Sequence, residues 1–186
     1  MQNMKIEYAK IISDLYLEGK PALYPVVNER EIRAAAGIMF VLGFTTFLYT
    51  LFTADYFFMY IIVPIFWLDF FLKTVFSANW SIFGFLGRVI TRRQKPEYVG
   101  AIQKRFAWGV GLLMASFMLI FAVFFSVRGI LPFSICSICL FFMWLESSCG
   151  ICAGCSMYNM LIKHKIMKEP EYKPVCPGGV CSIDKK

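Results

Sequence analysis

Between Cys149 and Cys155 the chain reads Cys-Gly-Ile-Cys-Ala-Gly-Cys, three cysteines with two residues between each and the next. Each adjacent pair is a CxxC unit. That spacing sets an attacking and a resolving sulfur side by side for thiol–disulfide exchange, or wraps a loop around one ion for metal ligation. On a continuous helix a spacing of three fans the thiols across one side, whereas Gly150 and Gly154 let the chain open and turn several thiols toward one point. Two further cysteines, Cys176 and Cys181, lie in the Pro- and Gly-rich tail 169–186, where Pro177-Gly178-Gly179 makes a turn that brings them together. A polar tail has no packing reason for cysteine, so this pair reads as a mobile relay exchanging electrons or bound sulfur with the first cluster. Four thiolates suffice for structural zinc or an iron–sulfur cluster, which makes Cys149, Cys152, Cys155, Cys176 and Cys181 an alternative metal-ligand set.

Cys136 and Cys139 stand one turn apart inside an apolar run, either as ordinary packing residues or as a second thiol station. About ten residues of helix, roughly 15 Å of rise, separate Cys139 from Cys149, too far for direct handover without a carrier. Glu146 follows Cys139 by two turns and shares its face, and Asp69 sits at similar depth in another apolar run. Acids at membrane depth face the bundle interior or a polar path, so both are candidate walls of an inward path for a proton or cation. Headgroups or nearby Lys and Arg explain them equally. His164 lies between Lys163 and Lys165, where a basic, solvated helix end accounts for it as well as ligation does.

The composition says what kind of element must hold these groups. Of 186 residues 59% are hydrophobic, 20 are Phe and only 17% are charged, too apolar for the surface of a soluble domain and suited to lipid. The net charge of +7 comes from basic residues flanking the apolar runs, where they set orientation and meet anionic lipid rather than nucleic acid. Seven cysteines is an odd count, which excludes a fully paired disulfide framework. Residues 1–30 lack the pattern of a cleavable signal peptide, so the N-terminus is expected to be retained.

An all-α, four-helix transmembrane bundle preceded by an N-terminal amphipathic helix is therefore expected. Apolar residues three or four apart predict the amphipathic helix over 3–18. Asn28 and Glu31 have capping-box spacing before the first span, 34–52, and Pro64 and Asp69 lie in the second, 57–76. A basic connection, 79–105, contains a candidate interfacial helix at 80–93, and the last spans run over 106–127 and from 131 to about 150. Three segments result: 1–27, the spans and their connections over 28–168, and the tail 169–186. The two hairpin turns hold a single basic residue, Arg128, while the middle connection and tail are rich in Lys and Arg. The positive-inside rule puts both termini and the CxxCxxC cluster on the cytoplasmic side of the membrane.

Val27-Asn28-Glu29-Arg30 before the first span, Lys104-Arg105-Phe106-Ala107 at the third, and a last span ending in Glu146, Cys152 and Gly154-Cys155 resemble DUF4395, a bacterial integral-membrane family of unknown function, over about residues 25–163. The resemblance implies a four-span protein, a terminal cysteine pair matched by Cys152 and Cys155, and a link to thiol or sulfur metabolism. Cys149, Cys136–Cys139 and Cys176–Cys181 depart from that minimal pattern.

The first reading is membrane thiol redox or sulfur handling, with Cys152 and Cys155 as the core pair, Cys149 auxiliary, and a thiol-redox or sulfur-carrier protein as partner beside membrane lipid. Whether the chemistry is catalytic stays open. The second is transport of a soft metal ion or small sulfur species past Cys136, Cys139, Glu146 and Asp69. The third is a non-catalytic assembly protein with a structural metal site made of four cysteine thiolates. A quinone-coupled disulfide enzyme fits less well, because such enzymes keep their exchanging pair where substrate disulfides form, and the loop charges place the cluster inside.

Overall fold

Four helices of the computed structural model are long and apolar enough to cross a membrane: Glu29–Thr53, Phe57–Phe76, Ala101–Phe124 and Ile130–Cys149. The structure describes residues 9, 15–17, 20–21, 25–166 and 184–185. Both tail cysteines, Cys176 and Cys181, and most of the segment 3–18 lie outside it. Where that segment is described it corrects the expectation of helix: β1 (Leu15–Leu17) is a strand, pairing antiparallel with β2 (Lys20–Pro21). Leu-Tyr-Leu suits a strand as well as a helix face, and a partner strand decides between them.

The first span starts earlier than its apolar run. β3 (Val26–Asn28) leads straight into α1 (Glu29–Thr53). Asn28 caps this helix, although not by the reciprocal box. Its Oδ1 accepts the N–H groups of Arg30 at 3.3 Å and Glu97 at 3.1 Å, while its Nδ2 donates to Glu31 Oε1 at 2.9 Å. Asn28 is shared because β3 pairs antiparallel with β4 (Tyr98–Gly100), in register Val26↔Gly100 and Asn28↔Tyr98. The Glu29 N–H donates to Glu97 O at 2.7 Å and the Ala101 N–H to Pro25 O at 2.9 Å, closing this small ribbon at both ends.

The ribbon has a consequence for the bundle. α4 (Ala101–Met118) begins at the residue after β4, so Lys104 and Arg105 belong to a helix and not to the basic connection. The ribbon thereby fastens the first turn of α4 beside the first turn of α1. α2 (Phe57–Phe71) continues as a wider π-helical stretch, Leu72–Phe76; α4 does the same through Leu119–Phe124, and α5 (Ile130–Trp144) through Leu145–Cys149. α1 and α4 each pack against both α2 and α5, closing a ring of four helices. Met39 and Phe83 fill one buried layer, and Met59, Met118 and Ala122 another.

α3 (Ile82–Thr91) lies within the expected 80–93 and packs on α1 through Phe83 and Gly87, while Ile82, Phe85, Val89 and Ile90 face outward. An apolar outer stripe next to Arg92 and Arg93 suits a helix resting in the lipid interface.

Candidate functional site

Lys104 has no exposed surface, an unusual fate for a lysine. Its Nζ lies 3.1 Å from Oε1 and 2.9 Å from Oε2 of Glu29, and 2.7 Å from Oε1 of Glu146. Three elements meet here: the first turn of α1, the first turn of α4, and the π-helical turn that ends the fourth span. A buried ammonium is tolerable only with its charge answered, and the two carboxylates do so while each accepts one of its N–H donors. Arg33 binds the same turn from outside, donating to the carbonyls of Ser147 at 3.4 Å and Ser148 at 3.3 Å.

The chain opens immediately afterwards. Gly150 takes φ +68°, the left-handed region that lets glycine end a helix, and Ile151 N–H reaches back to Leu145 O at 3.2 Å. Cys152 is the N-cap of α6 (Ala153–Lys163), extended at φ −88° and ψ 103°. Cys152 and Cys155 are 4% and 3% exposed, so both thiols are turned into the protein, whereas Cys149 faces outward. The Cys155 thiol hydrogen-bonds to the Cys152 sulfur. That bond, aided by the Lys104 ammonium, holds the Cys152 thiol below its ordinary range against burial and the Glu146 carboxylate. The same bond, with burial, pushes Cys155 up. Of the two, Cys152 is the sulfur held toward the thiolate.

A profile described as Domain of unknown function (DUF4395) matches residues 27–163. The chain belongs to this family. No curated protein and no solved structure matches it. The DUF4395 region begins in β3 and ends with the last residue of α6, so it takes in the ribbon, the four spans, the Lys104 cluster and the cysteine pair.

Cys152 and Glu146 also line a cavity of about 180 Å³ inside the helix ring. Thr46 apart, its other walls are apolar, and Cys136 and Cys139 belong to them. The two thiol stations expected from the sequence thus border one space. Asp69 does not line it. Asp69 is wholly buried at the foot of the second span, 2.6 Å from Lys73 Nζ, and accepts Ser81 Oγ at 2.8 Å and the Phe83 N–H at 3.1 Å. Its geometry ties the start of α3 to α2. His164 follows the end of α6 and is exposed. Among the described residues no three His, Cys, Asp or Glu side chains gather as a metal site requires; Cys149, Cys152 and Cys155 do not converge.

Sequence reasoning missed Lys104 and Glu29. The signal available was Glu146 itself: an acid on an apolar span calls for a cation at its own depth, and Lys104 follows the only connection long enough to bring one.

α6 is pressed onto α4 by a close approach at Gly154. A Cβ there would lie 2.5 Å from Ala107 Cβ and 2.6 Å from its Cα, against backbone that cannot swing aside. Gln103 Nε2 donates to Asn159 Oδ1 at 3.0 Å along the same contact. Gly154→Ala is expected to cost about 1–3 kcal/mol in thermal unfolding and to speed alkylation of Cys155 by lifting α6 away. An unchanged Tm with Cys155 still shielded would contradict this packing.

Proposed function

We propose that this protein carries out membrane thiol redox or sulfur-handling chemistry, with Cys152 as the attacking thiolate and Cys155 as its resolving partner. The observation that carries the reading is the placing of Cys152 at the N-terminus of α6, turned inward together with Cys155 and acted on by the buried Lys104 ammonium. A helix N-terminus and a cation both favour the thiolate, and a neighbouring protonated thiol supplies the second sulfur of a disulfide. Cys149, exposed just before the pair, is suited to receive electrons or sulfur from a soluble thiol or sulfur-carrier protein. In this reading both termini and the cysteine pair face the cytoplasm of a bacterial inner membrane, and Cys176 and Cys181 act as a relay.

Protein purified in detergent without oxygen tests this. Mass-based thiol counting is expected to find Cys152 and Cys155 free after reduction and joined, or carrying extra sulfur, after exposure to oxidised glutathione or thiosulfate. Cys152→Ser should abolish both products. About one zinc, or a cluster's worth of iron, per chain in elemental analysis would instead make the site a metal centre. A transport reading draws on a different observation, the thiols of Cys136, Cys139 and Cys152 along one cavity. Uptake of a soft metal ion into vesicles, lost on Cys136→Ser with Cys152 chemistry intact, would favour it.

A further inference from the structure

We propose that the cavity within the helix ring binds the ring of a lipid-soluble quinone, and that this quinone oxidises the Cys152–Cys155 dithiol. The proposal rests on the thiol-redox reading above and names its electron acceptor; the loop charges spoke against quinone coupling by placing the pair inside, and the cavity bordered by Cys152 speaks for it, with the dithiol's electrons coming from the cytoplasmic side.

Size comes first. An engineered apolar cavity of about 150 Å³ takes up benzene, and this one has about 180 Å³. It admits a single ring with small substituents and is too small for a haem or a three-ring flavin. Its walls include Phe47, Phe66, Phe70 and Trp108, flat apolar surfaces that suit a flat ring. Phe142 is both a wall of the cavity and 40% exposed, so the wall there is one side chain thick toward the outer surface of the ring. A ligand entering past it from lipid is lipid-soluble.

Chemistry narrows the class further. Closing the Cys152–Cys155 disulfide forms one S–S bond and releases two electrons and two protons. The acceptor must take all four, sit in an apolar space, and reach Cys152 from within it. A quinone becoming a quinol does so, taking two electrons and two protons at its carbonyl oxygens. Among the described residues Glu146 is the ionisable carboxylate on the cavity wall. Lys104 ties it to Glu29 at this end of the cavity. The Cys155 thiol supplies one proton, the proton that Cys152 gave up to solvent in becoming a thiolate supplies the other, and both end on the quinol.

The test uses the full chain, reduced without oxygen in lipid nanodiscs. The probe is a fully substituted benzoquinone with a short alkyl tail, since substitution blocks addition of thiols to the ring. Each chain is expected to convert an equivalent of quinone to quinol and to gain a Cys152–Cys155 disulfide. Ala115→Leu, which fills the cavity, should slow quinone reduction about tenfold or more. If that variant fails to fold, a photoreactive form of the same quinone on wild-type protein gives the answer: labelling within 107–118 or 136–157 supports the site, and labelling confined to outward residues such as Phe124 or Leu131 overturns it. Oxidised glutathione is the control. A disulfide formed with glutathione but not with quinone overturns this proposal and leaves the thiol reading standing; no disulfide with either overturns both.

Discussion

Lys104→Met is expected to destabilise the protein by about 3–5 kcal/mol, the cost of breaking a buried ion pair from one side. Lys104 is answered by Glu29 and Glu146, and methionine fills a similar volume without the charge. Two carboxylates would then face each other with no cation between them, and one or both must take up a proton or draw in water. For a chain of this length the loss corresponds to a fall in Tm of roughly 6–20 °C. Adding Glu29→Gln and Glu146→Gln to Lys104→Met removes the stranded charges and should restore most of the Tm. A Lys104→Met protein melting with wild type, or no recovery in the triple variant, would mean that the cluster does not hold α1, α4 and the last span together. The same substitution should also slow alkylation of Cys152, because the ammonium is one of the influences holding that sulfur as thiolate.

The span pattern was legible because lipid simplifies it. Runs of about 20 apolar residues with tight turns between them predict helices, and the second and fourth spans end within a residue or two of where hydropathy places them. Helix α3 was legible for the same reason: its apolar stripe repeats at helical spacing. The start of the third span was not. Lys104 and Arg105 look like connection residues because hydropathy counts charge against a span, and nothing in that count says a lysine can be buried when two acids converge on it. Tyr98-Val99-Gly100 was invisible as a strand because three residues are too short for a period-two pattern, and its partner lies far away in sequence. Without that ribbon the nearness of Glu29 to Lys104 could not be inferred.

The candidate site shows the same division. Cys152 and Cys155 were picked out by spacing, but their opposite characters were not, since these depend on which sulfur donates and on a lysine from another helix. Asp69 was paired with Glu146 on depth alone. Depth is a single coordinate; the direction in which Asp69 points is set by Lys73 one turn on and by Ser81 at the start of α3, and both draw it away from the cavity. Gly150 was read correctly as the opening of the chain, whereas Gly154 serves the opposite purpose, letting α6 close against α4.

Cys155→Ala should move the alkylation profile of Cys152 to higher pH. An ordinary thiol titrates near about 8.5; Cys152 is held below its usual range, chiefly by the hydrogen bond from Cys155. Only the thiolate reacts, so wild-type alkylation should reach half its plateau below that pH. Removing the donor leaves Lys104 alone against burial and Glu146, and the midpoint rises. A hydrogen bond to a charged acceptor contributes about 1.5–3 kcal/mol, which corresponds to roughly one to two on the pH scale. The thiolate fraction at pH 7 then falls by at most about 10- to 100-fold, the full factor applying when the wild-type midpoint lies above 7. A more basic thiolate is also a better nucleophile, with a Brønsted slope of about 0.4–0.5, so the observed rate at pH 7 should drop by at most about 4- to 15-fold. At high pH the order reverses, and Cys155→Ala becomes the faster of the two. Cys149→Ser as a common background, with fragment masses assigning the labelled cysteine, isolates the Cys152 signal. Two profiles with the same midpoint would show that Cys155 does not act on Cys152, and a rate change without a shift in midpoint would reduce its part to shielding. A shift with crossing profiles would assign Cys155 the role of keeping its neighbour ionised while holding the proton that disulfide formation must release.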